Sequence, residues 1–316
     1  MVSVIMLTYN HQKHIQQALD GVLMQKTVYP YEILIGDDAS TDGTQEILKE
    51  YQSKYPLVIR LFLSDENHGT TKNAYRLFQK ARGKYLASCE GDDYWASSDK
   101  LQTQVGFLEA HSEYVGCSHR IHCVDDEGHI QKSKKLHWIS NKRIYTINDF
   151  KGIILPGHSC SLVRRNIFLS PKAEYSAFWQ YDKYIGDRTA AVLWASEGNF
   201  YQMKQYMSCY RCSGSVRKSN VTHIVYVADE QKNIKELVFT EKLESLAEEL
   251  TGREYNFDFY RCRIFLSALS KGLTKSRRSE LSVAATVWKK MKSPMRAALR
   301  LPLIFVSMAA EKIRRK

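Results

Sequence analysis

Strand-like and helical patterns alternate along the first 108 residues, and this alternation restricts the possible folds more than any other feature of the chain. Runs rich in apolar and β-branched residues predict strands at 3–8, 31–36, 58–63 and 84–88. Helical spacing of apolar residues predicts helices at 14–24, 42–49, 72–79 and 97–108. This order favours an α/β fold with a mainly parallel, Rossmann-like sheet and helices on both faces. Such a sheet binds its ligands beyond the carboxyl ends of its strands.

The later part of the chain has a different pattern. Strand-like pieces and loops occupy 114–162, a helix is expected at 187–196, and two short strands are expected at 200–203 and 207–211. From about residue 221 the chain looks helical to its end, with interruptions at Pro294 and Pro302. We therefore expect an α/β domain over 1–220 and a helical region over 221–316.

An acidic cluster follows the fourth predicted strand. Glu90, Asp92 and Asp93 stand within four residues, directly after the apolar run Tyr85-Leu86-Ala87. Packed carboxylates repel one another and are costly to desolvate, so a divalent cation is the simplest way to stabilise them. Mg²⁺ and Mn²⁺ prefer oxygen ligands and often combine one or two carboxylates with substrate phosphates. The cluster therefore predicts a metal–phosphate site.

Polar residues also follow the other predicted strands. They are Thr8-Tyr9-Asn10, Asp37-Asp38, and Asn67-His68-Gly69 with Lys72 and Asn73 at the next helix. These groups should converge on one crevice if the sheet is doubly wound. The glycine-rich patterns of dinucleotide sites and P-loops are missing, so metal and side chains are expected to hold the phosphate. Asp42 or Thr44 is expected to cap the second helix, and Ser97 or Ser98 the fourth.

Positive charge is concentrated at the end of the chain. Residues 271–316 carry 13 Lys or Arg and 2 Asp or Glu, a net of +11 out of +12 for the whole chain. Two apolar stripes lie within this charge: Leu281, Ala285, Trp288 and Met291, then Leu299, Leu303, Val306, Ala310 and Ile313. Basic amphipathic helices are typical of proteins that lie on anionic membrane surfaces. The alternative is helices packed on the first domain with solvated charge; nucleic acid is disfavoured, because no recognised nucleic-acid-binding fold accompanies the charge.

The cellular setting expected from the sequence is the cytoplasm. There is no basic leader before the first strand and no run of apolar residues long enough to span a bilayer. The seven cysteines are odd in number and scattered, so we expect reduced thiols. Cys209-x-x-Cys212 lies in a strand-like segment and has no second pair at metal-ligand spacing, which argues against zinc.

Four motifs occur in a fixed order: S-V-I-x-L-T-Y-N at 3–10, D-D-A-S-T-D-G-T at 37–44, N-x-G-x-x-K-N at 67–73 and E-G-D-D-Y-W at 90–95. Together they resemble the family 2 glycosyltransferases of the GT-A fold. The form C-E-G-D-D-Y-W is similar to the bacterial branch that assembles capsule, O-antigen and exopolysaccharide. The resemblance implies inverting transfer of a sugar from a UDP- or dTDP-linked donor, with Mn²⁺ or Mg²⁺ as cofactor. It divides the first domain into a donor half, 1–110, and an acceptor half, 111–220.

The resemblance also implies roles for individual residues. Asp38 matches the base-binding acid, Asp92 the metal-binding acid of the D-x-D motif, and Glu90 the first position of that motif, near the ribose or metal. Asp93, Trp95 and His158 are acceptor-side candidates. Contacts to the donor nucleotide and its phosphates are expected from Thr8, Tyr9, Asn10, Asp37, Asp38, Lys72, Asn73, Glu90, Gly91, Asp92 and Arg211.

An inverting transferase also needs a general base for the attacking hydroxyl. Asp187, at the start of the helix expected at 187–196, is our prediction for this base, with Asp182 as the second choice. Relatives often carry a metal-binding His after the last strand, where this chain has Ser213, so the resemblance does not supply a third protein ligand. The expected acceptor is a growing glycan or a polyprenyl-diphosphate-linked glycan at the cytoplasmic membrane face.

Structural roles remain open for several of these residues. Asp38 could form an Asx turn, and Asp187 and Asn73 could cap helices. Two other functions also remain open. A sugar nucleotidyltransferase shares this type of fold, although the segment Thr8–Gln12 lacks the glycine-rich, arginine-containing loop usual in that class. A non-catalytic carbohydrate-binding protein on a degenerate transferase fold is the other alternative.

Overall fold

The computed structural model describes residues 1–131, 136–212, 231–274 and 278–313, with the side chains of 310–313 left out. The chain forms two compact units. The first comprises Met1–Lys132, Ile139–Ile147 and Leu155–Gly214, and the second comprises Ser133–Trp138, Asn148–Ile154 and Ser215–Lys316. The boundary expected between residues 220 and 221 lies outside the described residues.

The described part of the chain contains nine strands and eleven α-helices. The strands are β1 (Val2–Thr8), β2 (Tyr31–Asp37), β3 (Ile59–Leu63), β4 (Tyr85–Ser88), β5 (Tyr94–Trp95), β6 (Tyr114–Val124), β7 (Ile144–Tyr145), β8 (Val163–Arg165) and β9 (Asn199–Arg211). The helices are α1 (Ile15–Leu23), α2 (Thr44–Lys54), α3 (Thr70–Lys80), α4 (Lys100–Ala110), α5 (Ile147–Phe150), α6 (Ala177–Gln180), α7 (Asp187–Glu197), α8 (Lys232–Thr251), α9 (Asp258–Thr274), α10 (Arg278–Lys289) and α11 (Pro294–Ile313).

All nine of these strands form one mixed sheet in the first unit. Its order is β3-β2-β1-β4-β8-β6-β9-β5, with β7 on β9. Strands β1 to β4 are parallel, whereas β8 runs antiparallel to its neighbours β4 and β6, and β6 pairs in parallel with β9. The expected α/β fold with a largely parallel first half is confirmed. A parallel half of this kind gathers the carboxyl ends of its strands at one edge.

The buried core explains why the strands and helices of the first 108 residues could be predicted from the sequence. Val2, Val4 and Met6 of β1 are fully buried, because helices cover the parallel part of the sheet on both faces. Helix α1 buries Ile15, Ala18, Leu19 and Val22, which recur at helical spacing on one face. Gly36 of β2 leaves room for Asn73 of α3: an added Cβ would lie 2.4 Å from Asn73 Oδ1.

Several local expectations were wrong. Gly43 is the N-cap residue of α2 and Asp99 that of α4, and neither helix has a side-chain cap. Asp42 instead accepts the backbone N–H of Thr44 at 3.0 Å. The strands expected at 200–203 and 207–211 form one continuous strand, β9. Pro302 lies inside α11, and Pro294 begins it.

The second unit is helical, as expected. Its core cluster joins α8, α9, α10 and α11 through residues such as Leu237, Ile264, Val287 and Ile304. Helix α10 buries Glu280, Ala284 and Val287. Of the stripe expected in this region, Leu281 and Ala285 are exposed, whereas Trp288 and Met291 pack in the core. Among the described residues, no helix combines the length and apolar content that crossing a bilayer requires.

Candidate active site

The carboxyl ends of β1, β2 and β4 meet at one edge of the sheet. Thr8, the last residue of β1, lies opposite Asp37, the last residue of β2. The turn after β4 joins the same edge, because the Gly91 N–H donates to the Leu7 carbonyl at 2.9 Å. The structure thus brings together the polar segments that the sequence placed at separate strand ends.

The backbone at Gly91 leaves little room for a side chain. An added Cβ would lie 2.7 Å from His11 Nδ1 and 2.9 Å from Thr8 Oγ1. Thr8 is buried, and its hydroxyl has no hydrogen-bond partner among the described residues. A buried hydroxyl without a partner at the mouth of a parallel sheet is suited to receive a ligand.

The three acids of the turn have different surroundings. The Asp92 side chain is 39% exposed, and its Oδ2 lies 3.8 Å from His11 Nε2. Asp93 is buried, and its Oδ1 accepts the N–H of Arg211 at 2.9 Å. Glu90 lies between these extremes and accepts a 2.6 Å hydrogen bond from the Ser159 hydroxyl. Asp92 is therefore the member of the cluster most available to a ligand.

Burial and mutual repulsion raise the pKa values of Glu90 and Asp93. Burial, together with the charges of Asp187 and Asp92, raises the pKa of Glu90 to about 8. Burial, followed by the charges of Asp92 and Glu90, raises the pKa of Asp93 well above the usual range. A site that accumulates carboxylates at this cost is electrostatically prepared for a cation.

Asp187, the first residue of α7, interacts electrostatically with this acidic turn. After burial, the charge of Asp187 contributes most to the raised pKa of Glu90. The Asp187 side chain is exposed to solvent, yet the surrounding protein desolvates it and raises its pKa, against the lowering effect of Arg164. The Asp187 carboxylate is therefore accessible to a ligand and also perturbed by the protein around it.

Arg164 of β8 is a site residue that the sequence reading missed. It is buried, donates to the Ser88 hydroxyl at 3.1 Å, and lies 4.1 Å from the centre of the Trp194 ring. Burial lowers its pKa to about 10, while Asp187 and Glu90 raise it. Its positive charge thus interacts with both acids. An arginine in a short strand carries no motif, so only the folded structure could identify it.

The loops after β1 and β2 are fastened to each other. The N–H of Asn10 donates to Ser40 Oγ at 2.9 Å, and Asn10 Oδ1 accepts from the Thr41 N–H at 2.8 Å. Asn10 and Ala39 have φ angles of 57° and 64°, which lie in the left-handed region that residues other than glycine seldom occupy. Strained backbone of this kind is concentrated at ligand sites. Tyr9, between these fastened segments, is 37% exposed.

Asp38 and Asp37 differ in their contacts. The Asp38 carboxylate accepts the N–H groups of His68 and Gly69 at 2.9 and 2.8 Å, and so connects the loops after β2 and β3. Asp37 is fully buried and accepts from Ser40 and from Gln45, the latter at 2.7 Å. Its side chain therefore supports the loop from beneath.

Asn73 and Lys72, the two residues of α3 that were expected at the donor site, have different surroundings. Asn73 is buried and donates to the Gly36 carbonyl at 2.8 Å, while its Oδ1 accepts from Arg76 at 3.0 Å. Its observed role is to join α3 to β2; the predicted cap position belongs to Gly69. Lys72, one position earlier, is exposed. The segment that supplies these residues begins beside Asp38.

Arg211 is fully engaged within the protein. Its guanidinium donates to the carbonyls of Asp92, Asp125 and Asp126 and to Gln17 Oε1, at 2.6–3.0 Å. It is buried. The donors that we expected to face a diphosphate instead hold the acidic turn against neighbouring loops.

Trp95 and His158, the expected acceptor-side residues, are both buried. Trp95 is 1% exposed and belongs to the hydrophobic core, because strand β5 turns its indole inward. His158 lies behind Asp93, with its Nδ1 3.6 Å from Asp93 Oδ2 and its ring tilted by 36° against that of Tyr210. Burial lowers the pKa of His158 to about 4, so it is neutral near pH 7. The motif does not show which way a side chain turns, and the acceptor-side role of both residues stays a prediction.

The remaining predictions from the sequence concern Asp182, Ser213 and the pair Cys209 and Cys212. The Asp182 carboxylate accepts the N–H groups of Tyr184 and Ile185 at 2.7 and 2.8 Å, which is a turn and fits the base role less well than Asp187. Ser213, the position where the resemblance would have a His, lies outside the described residues. Cys209 and Cys212 are both buried free thiols.

The residues present fit a hard divalent cation. Carboxylate oxygens of Asp92 and Glu90 are the preferred donors of Mg²⁺ and Mn²⁺, and a cation there would relieve the repulsion that raises the pKa of Glu90. A second set, Asp93, His158 and Cys160, has its ligand atoms within 4.8 Å of one another. Burial and the Asp93 charge raise the Cys160 pKa well above the usual range, which disfavours the thiolate that a metal requires.

Comparisons with known proteins identify the chain by sequence. The family model "Glycosyl transferase family 2" matches residues 3–169. An uncharacterized protein of Mycobacterium tuberculosis is 42% identical over 127 residues, which are 40% of this chain and 37% of that relative. The putative teichuronic acid biosynthesis glycosyltransferase TuaG of Bacillus subtilis is 36% identical over 108 residues, 34% of this chain and 42% of that protein. The matches thus span less than half the length of these curated relatives.

Comparison with solved structures extends over nearly the whole chain. The crystal structure of S. aureus TarS 1–349 in complex with UDP-GlcNAc superposes with a TM-score of 0.61 at 17% identity, covering 99% of this chain and 89% of the other. This similarity confirms the GT-A-like fold and the helices that follow it. Because the family model spans more than half of the sequence, including all four motifs, the chain belongs to glycosyl transferase family 2.

Proposed function

We propose that the chain is a metal-assisted, inverting glycosyltransferase of bacterial surface polysaccharide synthesis. It transfers a sugar from a nucleotide diphosphate sugar, UDP- or dTDP-linked, to a hydroxyl of a growing or lipid-linked glycan. The observation that carries the proposal is the acidic turn Glu90–Asp93, which the Gly91 N–H joins to the end of β1, with Asp187 close enough for its charge to raise the pKa of Glu90. A metal-binding turn and a carboxylate from another element are what inverting transfer requires.

On the donor side, the fastened loops after β1, β2 and β3 form the nucleotide cradle. Asp38 accepts a base or ribose N–H or O–H, Thr8 offers its unpartnered hydroxyl, and Tyr9 covers the entrance. Lys72, exposed at the start of α3, provides positive charge for the phosphates. Residues 1–110 are thus the donor half and 111–220 the acceptor half.

Asp92 and Glu90 would hold Mn²⁺ or Mg²⁺. The bound ion would stabilise the negative charge that develops on the leaving diphosphate. Asp93 and Arg211 act behind this pair: Arg211 fixes the backbone of the turn, and Asp93 accepts the Arg211 N–H. Asp93 is therefore a positioning residue.

Asp187 acts as the general base. Its carboxylate takes the proton of the acceptor hydroxyl while that oxygen attacks the anomeric carbon from the face opposite the diphosphate. The new bond joins the anomeric carbon to the acceptor oxygen, the bond to the phosphate oxygen breaks, and the configuration inverts. The raised pKa of Asp187 suits it to this role, since a base is most effective when its pKa approaches the working pH.

The setting is the cytoplasmic face of the membrane. TuaG is named for teichuronic acid biosynthesis, and residues 271–316 carry a net charge of +11. Leu299, Leu303 and Val306 of α11 are exposed by 81%, 75% and 64%. An exposed apolar face with surrounding positive charge matches a helix lying on an anionic membrane surface. The second unit would thereby hold the active site near a lipid-linked acceptor.

Calorimetric titration with a panel of nucleotide sugars tests the proposal, with Mn²⁺ or with a chelator. Asp92→Asn should lose the metal-dependent part of donor affinity. Asp187→Asn should bind the donor normally but hydrolyse or transfer it roughly 10²–10⁴-fold more slowly. Glu46→Gln, which removes an exposed acid of α2, is the control. Full turnover by both Asp92→Asn and Asp187→Asn would contradict the assigned roles, and pyrophosphate release from a nucleoside triphosphate would favour a nucleotidyltransferase.

A further inference from the structure

A cavity of about 280 Å³ lies within the helical unit, away from the residues assigned to sugar transfer. Three basic side chains line it: Lys151, from the turn after α5, and Arg296 and Arg300, from the first turns of α11. Asn148, Asn256 and Ser293 add neutral hydrogen-bonding groups. A concave site with several converging polar groups is the usual form of a ligand pocket.

The positive charge in this cavity is not neutralised by the described part of the chain. Lys151, Arg296 and Arg300 form no ion pair with any described carboxylate, whereas Lys290 and Lys292 of the same unit pair with Glu241 and Glu248 at 2.9 and 2.8 Å. The cavity therefore attracts an anion.

The one acid in the lining is already engaged. Asp258 Oδ1 accepts the N–H of Lys292 at 3.1 Å and lies 3.4 Å from an Arg261 guanidinium nitrogen. Its Oδ2 accepts the N–H of Ser293 at 2.7 Å. These contacts offset its charge, because two backbone N–H groups and the Arg261 guanidinium surround its oxygens. The three unpaired cations thus dominate the field in the cavity.

The same helix presents an unpartnered apolar face beside the arginines. Met295 and Leu299, which precede Arg296 and Arg300 in sequence, are exposed by 83% and 81%. Leu303 and Val306 continue the stripe, while the opposite face of α11 is buried through Ala297 and Ile304. Exposed apolar residues in a continuous stripe mark an interaction surface. Basic residues along its flank favour an anionic lipid surface over another protein.

We propose that this cavity binds the phosphate of an anionic phospholipid headgroup while the stripe Met295–Leu299–Leu303–Val306 enters the membrane interface. The inference rests on the proposed membrane-surface role of the second unit and adds a specific binding site for a lipid headgroup. Arg296 and Arg300 supply the planar, multiple N–H donors that suit phosphate oxygens, and Lys151 adds a point charge.

Vesicle flotation of the full chain at about physiological ionic strength tests the proposal, since salt screens the unspecific attraction of the whole tail. The vesicles contain phosphatidylglycerol with phosphatidylcholine, or phosphatidylcholine alone. The test variant is Arg296→Gln with Arg300→Gln. The matched control is Arg278→Gln with Lys289→Gln, which removes the same charge from exposed positions of α10. The pair Arg296→Lys with Arg300→Lys retains charge but not the planar donors.

We expect the wild-type chain to bind phosphatidylglycerol vesicles and not phosphatidylcholine alone. The cavity variant should bind at least about 5-fold more weakly than the charge-matched control, because it loses direct phosphate contacts as well as general attraction. Equal losses in both pairs would overturn the proposal in favour of unspecific charge. Saturable binding of glycerol 3-phosphate that vesicles do not compete would also overturn it, since the ligand would then be a soluble phosphate ester.

Donor binding without vesicles separates this inference from the transferase proposal. A folded cavity variant should bind the nucleotide sugar like the wild-type chain. If neither the wild-type chain nor any variant binds a donor, the transferase proposal fails. Vesicle flotation still tests the cavity proposal in that case. If donor binding is normal and the two charge pairs behave alike, only the cavity proposal fails.

Discussion

The guanidinium of Arg211 donates to the main-chain carbonyl of Asp92 at 2.9 Å. The last residue of β9 thereby fixes the backbone of the proposed metal-binding acid, 119 residues earlier in the chain. Asp92 keeps its carboxylate exposed because the turn is held through its backbone and through the neighbouring Asp93. The geometry of the acidic turn thus depends on Arg211, whose guanidinium forms hydrogen bonds within the protein.

Arg211→Lys is the direct test of this relationship. A lysine cannot reach the three carbonyls and Gln17 together, so the turn should loosen. We expect a lower melting temperature and weaker Mn²⁺ affinity, with metal-free nucleotide binding little changed. Thermal unfolding and metal titration measure both effects. A normal melting temperature with weaker nucleoside diphosphate binding would show that Arg211 contacts the diphosphate after all.

Gly91→Ala should damage the site by steric conflict. The new methyl group would lie within 3.0 Å of His11 and Thr8 as well as Ile15. We expect a loss of about 1–3 kcal/mol in the free energy of unfolding, together with weaker donor binding. Chemical denaturation and calorimetry measure the two effects.

Gly106→Ala is the matched control for that substitution. Gly106 lies inside α4, where an added Cβ would have a single neighbour, the Tyr29 hydroxyl, at 3.7 Å. Alanine should stabilise this helix by up to about 1 kcal/mol. If both alanine variants behave alike, the close approach at Gly91 does not control the site.

Arg164→Gln should change the pH dependence of sugar transfer. Arg164 lowers the pKa of Asp187, so its removal should raise that pKa further. The proposed base acts as a carboxylate, and the acidic limb of the rate profile should therefore move to higher pH. The midpoint of this limb does not depend on the amount of folded enzyme. Arg164→Lys keeps the charge and should shift the midpoint less; equal midpoints in all three proteins would contradict the role.

Glu32→Gln should alter stability in acid. Burial alone would raise the Glu32 pKa, but hydrogen bonds from Arg82, Arg60 and Ser3 together lower it from 4.5 to about 2. A carboxylate with a lowered pKa stabilises the fold above its unfolded pKa and loses that contribution as pH falls. The wild-type advantage, about 1–3 kcal/mol near neutral pH, should therefore shrink between pH 4.5 and about 2.

Denaturation of both proteins at several pH values measures this effect. Glu50→Gln is the control, because the Glu50–Lys54 pair is exposed on both sides and contributes little. A wild-type advantage that stays constant across the acidic range would contradict the lowered pKa of Glu32.

Sequence-based prediction of strands and helices was more accurate in the first half of the first unit than in its second half. The first four strands and helices α1 to α4 were predicted within a few residues, since each buries a face whose period is visible in the sequence. The segment 114–162 was harder, because β6 pairs with partners that lie far away along the chain. The motif predicted the position of Trp95 but not the direction of its side chain, because a two-residue strand turns its ring into the core.

The sequence by itself determined the order of the elements, the four motifs and the concentration of acids after β4, because these depend on local periodicity and residue type. The tertiary structure alone decided which side chains share the site. It brought Arg164 close enough to interact with both Glu90 and Asp187, assigned the Arg211 guanidinium to backbone carbonyls, and buried His158 behind Asp93. The physical reason is that direction and charge pairing across a sheet arise from long-range strand order, which no local pattern encodes.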